Sequence, residues 1–259
     1  MTTAAELDAA LAGHEPIPRI GQDPPATIAD AYALQRAFVE LRSARTGEGV
    51  AGYKIAFTSP AAQQAVTTGG YHSGCLLPDQ ILATGAGIRL SERFSPILEV
   101  ELLVRVTRPF RAGAARAEIA DSTELAAGLE VPESRFRDWF GGEYPALEVT
   151  QVIADNCLAG LVIVGDRWVP AARLDLTGAT ATLHRDGELV REGAVDLVVP
   201  DPLTAVGWLA GQLEERGERL QEGQIISSGT WTDTILAVAG THVARFSHGL
   251  GSVVLAVED

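Results

Sequence analysis

The stretch PILEVELLVRV occupies residues 96–106 and sets two glutamates two residues apart in an otherwise strongly apolar run. This composition predicts a strand. Residues two apart in a strand point to the same face, so Glu99 and Glu101 project together. The opposite face is filled by Leu98, Val100, Leu102 and Val104. The stretch therefore predicts an apolar strand that carries a pair of carboxylates on one face.

Two interpretations of this carboxylate pair stay open on spacing alone. In the first, one face of the strand is wet and both glutamates are solvated. In the second, they bind a divalent cation, which offsets their mutual repulsion and the cost of burying them. All-oxygen ligation favours Mg²⁺, Mn²⁺ or Ca²⁺ over Zn²⁺. A third carboxylate is then needed, and the similar local sequences around Glu130 and Glu148 make both of them candidates.

The order of elements along the chain predicts an α+β fold, in which a β-rich core is partly covered by helices. Periodicity and capping predict helices at residues 3–12, 27–45, 60–67, 119–127, 149–156 and 201–215. Strands are expected at 50–57, 96–106, 129–131, 159–164, 224–228, 241–246 and 252–257, with a hairpin turn at Asp186-Gly187. Residues 69–78 are expected to be irregular. We expect a single domain over residues 1–259, with a helical N-terminal part at about 1–47.

Composition excludes several classes of function. The chain has 259 residues and a formal charge of −14, which disfavours nucleic acid and anionic membrane surfaces as partners. Its two cysteines, Cys75 and Cys157, show no metal-ligand spacing and fit a reducing compartment. The N-terminus lacks the pattern of a secretory signal, and the longest apolar run, at about 158–164, is too short to span a membrane. We therefore expect a cytoplasmic protein.

Seven segments of the chain, taken together, resemble one known family. In chain order they are Gly52–Ser59 (GYKIAFTS), Gly74–Asp79, Pro96–Glu101, Leu129–Trp139 (LEVPESRFRDW), Ala154–Asn156, Ser228–Thr232 and Gly249–Val253. They resemble the 2-keto-4-pentenoate hydratase and 4-oxalocrotonate decarboxylase family of the fumarylacetoacetate hydrolase-like superfamily. The resemblance implies a mixed β-barrel or roll with peripheral helices and the metal in its mouth. It also implies a homo-oligomer.

The resemblance also implies which residues act. The family's metal ligands fall on Glu99, Glu101 and Glu130, which would hold Mg²⁺ or Mn²⁺, and Glu148 is left out. On local sequence alone a snorkelling lysine is the default interpretation of Lys54, but with the motif it matches the family's active-site lysine. Asp79 matches an acidic residue near the pocket and is the expected acid/base group. Both Lys54 and Asp79 are thus candidate catalytic residues.

The activity that the resemblance implies is the metal-dependent addition of water to a 2-hydroxy-2,4-dienoate, a small acidic 2-oxo acid. The alternative is the decarboxylation of a 2-oxo-3-enedioate through the same chelate. An acylpyruvate C–C hydrolase is more distant, because that branch normally has an aspartate where this chain has Glu130. A non-catalytic binding protein is the remaining alternative.

The expected substrate pocket departs from the family pattern. Leu158 occupies the position of a serine that is thought to contact substrate, so an apolar side chain replaces a hydroxyl. Ser228, Thr230 and His72 are further candidate substrate-binding residues. Structural roles are the alternative for each: turn hydrogen bonds for Ser228 and Thr230, and a surface position for His72.

Overall fold

The computed structural model describes residues 2–18, 23–65, 70–140, 147–198 and 201–259. It contains six α-helices within these ranges: α1 (Ala4–Gly13), α2 (Ile28–Thr46), α3 (Pro60–Ala65), α4 (Arg116–Asp121), α5 (Val149–Ala154) and α6 (Pro202–Glu215). Capping explains several of their ends. Thr3 and Glu6 form a capping box at α1, and the Asp201 side chain accepts hydrogen bonds from the first turn of α6, where Pro202 is the first residue.

Nine of the strands form one mixed sheet. They are β1 (Gly52–Ala56), β2 (His72–Leu76), β3 (Ile81–Ala83), β5 (Ile97–Val106), β6 (Thr123–Val131), β7 (Leu161–Val164), β8 (Val169–Pro170), β11 (Ile225–Thr230) and β12 (Ile235–Leu236). The strand order is β2-β1-β11-β5-β6-β7-β3, while β12 pairs with β5 and β8 pairs with β6. Strand β5, which carries Glu99 and Glu101, is therefore central and has neighbours on both edges.

The other five strands form a second sheet in the order β10-β9-β13-β14-β4. They are β4 (Ala86–Arg89), β9 (Thr180–Arg185), β10 (Glu188–Ala194), β13 (Gly240–Phe246) and β14 (Gly251–Glu258). Asp186 and Gly187 join β9 to β10 with φ values of 51° and 91°, as a two-residue hairpin of type I′ requires. This hairpin was predicted from the sequence.

Two main hydrophobic clusters hold the molecule together. The larger contains one face of β5, including Leu98, Val100, Leu102 and Val104, together with residues of β6, α6 and β14. The second joins α1, α2 and α5 to the other face of the large sheet and includes Phe57, Ile97 and Leu158. Because both faces of β5 are covered, polar groups on this strand are removed from bulk water.

The structure corrects two local predictions. Residues 72–76, expected to be irregular, form the edge strand β2, and Gly74 is required there because a Cβ would lie 2.1 Å from the carbonyl oxygen of Asn156. Residues 123–127, expected to end a helix, belong to β6, because pairing with β5 overrides the helical propensity of Ala126 and Ala127. Residues 66–67 of the predicted third helix lie outside the described residues.

The helices at 4–13, 28–46, 149–154 and 202–215 confirm their predictions to within two residues. Among the described residues, no helix has the length and apolar character needed to cross a membrane.

Candidate metal centre and its cavity

Three glutamates meet at the middle of the large sheet. Glu99 on β5 lies directly opposite Glu130 on β6 in the antiparallel ladder, and Glu101 follows two residues along β5 on the same face. One carboxylate oxygen from each residue lies within 4.8 Å of the other two. Glu101 and Glu130 are buried and Glu99 is half-buried, so the interpretation with two solvated glutamates on a wet face is wrong.

The three carboxylates differ in their hydrogen bonds. Glu101 Oε2 accepts from the Ser227 hydroxyl at 2.6 Å and from the Gly229 amide at 2.9 Å. Glu99 Oε1 accepts from the Thr234 hydroxyl at 2.9 Å. Glu130 Oε1 is paired with the Lys54 ammonium at 3.0 Å, whereas Oε2 is buried without a hydrogen-bond partner among the described residues. Glu130 is therefore the member of the trio that receives no hydroxyl or backbone-amide hydrogen bond, and one of its buried oxygens lacks a donor.

Lys54 is the cation of this cluster. It lies on β1, is almost fully buried, and places Nζ 3.0 Å from Glu130 Oε1 as an ion pair. It is also the only lysine in the chain, whose other basic side chains, histidines apart, are all arginine. The chain's one lysine thus lies at a buried position, where its ammonium on β1 pairs with a carboxylate on β6, with β11 and β5 between these strands in the sheet. One cation faces three carboxylates, so the cluster carries an excess of negative charge.

The electrostatics of the cluster fit a divalent ion. Burial raises the pKa of Glu130 to about 7, although the ammonium of Lys54 opposes this shift. Burial and the neighbouring carboxylates of Glu130 and Glu99 raise the pKa of Glu101 well above its usual range. Burial alone would lower the pKa of Lys54, but the three carboxylates outweigh it and the pKa is raised. A bound cation would offset the repulsion and supply the partner that Glu130 Oε2 lacks.

A bulge in β11 positions the donors for Glu101. The pairing of β11 with β5 shifts register between Ser227 and Thr230. Gly229 adopts φ of 116° there, and a Cβ at this residue would lie 2.2 Å from the Thr58 hydroxyl oxygen. The bulge lets the Ser227 hydroxyl and the Gly229 amide reach the same carboxylate oxygen. Glycine is therefore required by both conformation and space.

The carboxylates open into a small cavity of about 70 Å³. Its polar part consists of Lys54, Glu99, Glu101, Thr58, Ser59 and Thr230. The remaining wall is mostly apolar and consists of Ile55, Ala56, Phe57, Ala62, Ile97, Pro132, Val152, Cys157 and Leu158. A wider cavity of about 540 Å³ adjoins it and shares Ser59, Ala62, Glu99 and Thr230. The site is thus a polar centre with an apolar inner wall and an open mouth.

The segment that carries Leu158 has unusual backbone geometry. Asn156, Cys157 and Leu158 have φ values of 55°, 49° and 63°, a conformation that costs each non-glycine residue about 1–2 kcal/mol. The Asn156 side chain secures it by accepting from the Cys75 amide at 2.7 Å and donating to the Cys75 carbonyl at 2.8 Å. The Leu158 carbonyl accepts from the Glu133 amide at 3.0 Å. This anchoring fixes the Leu158 side chain in the cavity wall.

The structure brings six of the nine residues singled out in the sequence to this centre. Glu99, Glu101, Lys54, Leu158 and Thr230 line the cavity, and Glu130 is fully buried beside them. Glu148 is exposed at the N-terminus of α5 and lies outside the trio. The Thr230 hydroxyl also donates to the Thr232 carbonyl at 3.0 Å, so it has a structural role as well.

Asp79 lies elsewhere. Its carboxylate is half exposed, accepts from Arg42 Nη2 at 3.3 Å, and lines a separate cavity with Arg42, Arg45 and Arg93. The short 3₁₀ turn at Pro78–Gln80 directs it towards α2, away from β5. The acid/base role expected of Asp79 has no support from this position.

Ser228 and His72 also lie outside the cavity lining. The Ser228 hydroxyl is fully buried and donates to the Leu102 carbonyl at 2.6 Å, which is the structural alternative considered for it. His72 contacts the Tyr32 hydroxyl through Nδ1 at 3.2 Å and packs against the edge of the Phe57 ring. Phe57 lines the cavity, whereas His72 does not.

Sequence reasoning missed the residues that orient the ligands. Ser227, Gly229 and Thr234 donate to Glu101 and Glu99, as described above. Their signal was present in part, because Ser227 is adjacent to the recognised SGT segment on the neighbouring strand. Thr234 lies in a loop after β11, and its distance along the chain from Glu99 left no local signal.

Comparison with known proteins agrees with this geometry. The chain matches no family model. It is 32% identical over 226 residues to a 2-keto-4-pentenoate hydratase of Paraburkholderia phymatum, covering 86% of this chain and 83% of that protein. The 4-oxalocrotonate decarboxylase of Pseudomonas putida G7, solved with magnesium and adipate, superposes with a TM-score of 0.88 at 26% identity, covering 98% of this chain and 95% of that chain.

A more distant structure shows the fold alone. The fumarylpyruvate hydrolase of Pseudomonas aeruginosa, solved with Mn²⁺ and pyruvate, superposes with a TM-score of 0.57 at 16% identity, covering 80% of this chain and 88% of that chain. The fold thus has the architecture of the fumarylacetoacetate hydrolase-like superfamily, and the curated relatives, which are hydratases and decarboxylases, make this chain a lyase-type enzyme. Within it, this chain belongs to the 2-keto-4-pentenoate hydratase and 4-oxalocrotonate decarboxylase family.

Proposed function

We propose that this protein is a divalent-metal-dependent hydratase that adds water to a 2-hydroxy-2,4-dienoate to give a 4-hydroxy-2-oxo acid. The observation that carries the proposal is the cluster of Glu99, Glu101 and Glu130, in which three carboxylates face one ammonium and Glu130 Oε2 is buried without a partner among the described residues. The relative from Paraburkholderia phymatum supports the reaction by its name. The magnesium of the solved 4-oxalocrotonate decarboxylase supports a divalent ion such as Mg²⁺ or Mn²⁺.

Glu99, Glu101 and Glu130 would hold the ion, and the hydroxyl and amide donors of Ser227, Gly229 and Thr234 orient two of these carboxylates. When bound, a divalent ion supplies Lewis-acid polarisation of the substrate's carboxylate and C2 oxygen and acts as a template. The open mouth beside Glu99 and Thr230 gives the substrate access. The apolar inner wall excludes water from the rest of the cavity.

Lys54 then has two tasks in the proposed reaction. Its ammonium offsets part of the field of three glutamates and so admits an anionic substrate. It is also the only cationic donor among the described residues that line the cavity, so we assign to it the proton delivered to C5 on ketonisation; the C2 hydroxyl gives up its proton in the same step, which restores the ammonium. The hydroxyls of Thr58, Ser59 and Thr230 line the same cavity and orient the water that adds across C3 and C4, its hydroxyl to C4 and its proton to C3.

A decarboxylase is the second candidate function, favoured by the close superposition on the 4-oxalocrotonate decarboxylase. The same centre would stabilise the dienolate left by loss of CO₂. The two functions differ in products, because a hydratase yields the 4-hydroxy-2-oxo acid without gas release. Product analysis on a 2-hydroxy-2,4-dienoate and on a 2-oxo-3-enedioate therefore separates them.

The proposal is tested by comparing Glu130→Gln with Glu148→Gln. Glu130→Gln should lose Mg²⁺ binding in calorimetry and lose the metal-dependent decrease of dienol absorbance. Glu148→Gln should retain both, because Glu148 is an exposed helix-capping residue. Metal binding that survives in Glu130→Gln but is lost in Glu148→Gln would contradict the proposed ligand set.

We also propose that the protein is a cytoplasmic homo-oligomer. The free thiols of Cys75 and Cys157 support a reducing compartment. The resemblance of the seven motifs to a family of homo-oligomers supports association between copies. Light scattering that gives a monomer at micromolar concentration would contradict the oligomer.

A further inference from the structure

The charge pattern of the cavity constrains the substrate's tail. Among the described residues that line the inner cavity, Lys54 is the only cation, and it is already paired with Glu130. The rest of the inner wall is mostly apolar, with Ile55, Phe57 and Leu158 as its largest members away from β5. A 2-oxo acid held by its carboxylate and C2 oxygen through a divalent ion at the glutamate trio therefore directs its tail to a surface without a compensating charge.

The mouth offers no cation either. Within the described part of the chain, the wider cavity is lined by small and hydroxylic residues together with Leu197 and two carboxylates, Glu99 and Asp233. A tail that runs outward past Thr230 thus meets further negative charge. Whichever direction the tail takes, a second carboxylate on it would be either desolvated without a partner or repelled.

Leu158 is the residue that fixes the inner wall. Its side chain is 7% exposed and belongs to the cluster that joins α2 and α5 to the sheet. The left-handed backbone at residues 156–158 and the Asn156–Cys75 hydrogen bonds hold it in place. Because it carries no hydrogen-bonding group, a polar substituent placed there loses its water without gaining a partner.

We infer that this site takes 2-oxo acids whose tail is uncharged and apolar, in preference to dicarboxylates, and that Leu158 sets the preference. The inference rests on the proposed function, since it places the head of the substrate at the glutamate trio. Adipate, the dicarboxylate in the related decarboxylase structure, is the kind of ligand that this chain should disfavour.

The test compares two ligands of equal chain length, 2-oxohexanoate and 2-oxohexanedioate, by calorimetric titration into the Mg²⁺-loaded protein. Binding is the decisive readout, because both ligands are saturated and lack the conjugated double bonds on which hydration and decarboxylation depend. We expect the monoacid to bind at least about tenfold more tightly, since an unpartnered carboxylate costs far more than the loss of one hydrogen bond.

Variants assign the preference to one residue. Leu158→Arg should reverse the preference for the monoacid by supplying the missing cation. Leu158→Ser is the second variant, for use where the arginine variant does not fold, and it should reduce the preference several-fold. Leu189→Ser is the matched control, because Leu189 is 55% exposed on the second sheet, and it should leave both affinities unchanged. Retention of the full preference in Leu158→Ser would remove Leu158 from the inference.

The outcomes separate the inference from the function. Equal or tighter binding of 2-oxohexanedioate would overturn the inference while leaving the metal-dependent hydratase intact. Failure of both ligands to bind in the presence of Mg²⁺ would overturn the proposed function, and the inference with it.

Discussion

Two buried ion pairs in this protein are built in opposite ways. Arg135 and Asp155 are almost fully buried, and every group on them has a partner: Asp155 accepts from Ser134 Oγ, from the Arg135 amide and from Arg135 Nε, while the guanidinium also donates to the carbonyls of Ala159 and Asp155. Lys54 and Glu130 are equally buried, but beyond the Lys54 ammonium Glu130 has no donor, its Oε2 lacks a partner among the described residues, and two further carboxylates lie beside it.

The difference separates a structural pair from a functional one. The charges of Arg135 and Asp155 balance, and their hydrogen bonds lock the segment that leads to Leu158. The Lys54 cluster has three carboxylates for one ammonium and leaves one oxygen of Glu130 without a partner among the described residues, which stability does not require but a cation site does. An excess of buried negative charge thus distinguishes the site better than burial or pairing alone.

The largest effect should come from Lys54. Lys54→Ala should reduce turnover by at least about a thousandfold, or about 4 kcal/mol, because the site loses the proton donor assigned to C5 and the positive charge that, together with the divalent ion, balances three glutamates. Steady-state dienol assays measure the loss. Mg²⁺ affinity should be retained or increased in the same variant, since the site becomes more negative. Arg89→Ala is the control, because Arg89 is exposed, and it should leave turnover unchanged. Full activity in Lys54→Ala would exclude the lysine from the reaction.

The next effect concerns stability and tests the contrast directly. Arg135→Met should lower the free energy of unfolding by about 3–5 kcal/mol, because it leaves Asp155 buried without its charge partner. In the presence of a chelator, Glu130→Gln should change the free energy of unfolding by less than about 1 kcal/mol or increase it, since one of three repelling carboxylate charges is removed. Urea titrations of the two variants measure this. Equal destabilisation would remove the distinction between the pairs.

A smaller effect is expected for the residues behind the ligands. Ser227→Ala should weaken Mg²⁺ binding about 10–100-fold, because the hydroxyl that orients Glu101 is lost. Ser228→Ala is the matched control: its hydroxyl donates to the Leu102 carbonyl, so its loss should affect stability and leave Mg²⁺ affinity unchanged. Calorimetry on both variants decides between an orienting and a structural role for Ser227.

The smallest effect is the pH dependence due to His72. Burial, assisted by the positive charge of Arg216, lowers the pKa of His72 to about 4. The unfolded chain therefore binds this proton more tightly, and stability should fall as the pH drops from about 6.5 towards 4. Solvent screening limits the loss to about 1–2 kcal/mol. In His72→Gln the free energy of unfolding should depend less on pH in this interval, as measured by urea titrations at several pH values. An unchanged dependence would show that other titrating groups cause it.

The sequence alone determined the local parts of this protein. The apolar alternation of residues 96–106, the Asp201-Pro202 cap and the Asp186-Gly187 turn each predicted an element that the structure contains, because these signals act over a few residues. The seven ordered motifs identified Glu99, Glu101, Glu130 and Lys54 together, and the geometry places them side by side. The strand at 72–76 and the start of β6 were missed because pairing partners, rather than propensity, decide them.

Only the tertiary structure decided which candidates share one cavity. Asp79 and Ser228 lie in recognised motifs, yet one faces Arg42 and the other is bound to a strand carbonyl, since position in a motif does not fix the direction of a side chain. Ser227 and Thr234 orient the ligand carboxylates from about 130 residues away along the chain. Such contacts depend on strand order and on the bulge at Gly229, and local sequence specifies neither, because both arise from pairing between segments that are distant in the chain.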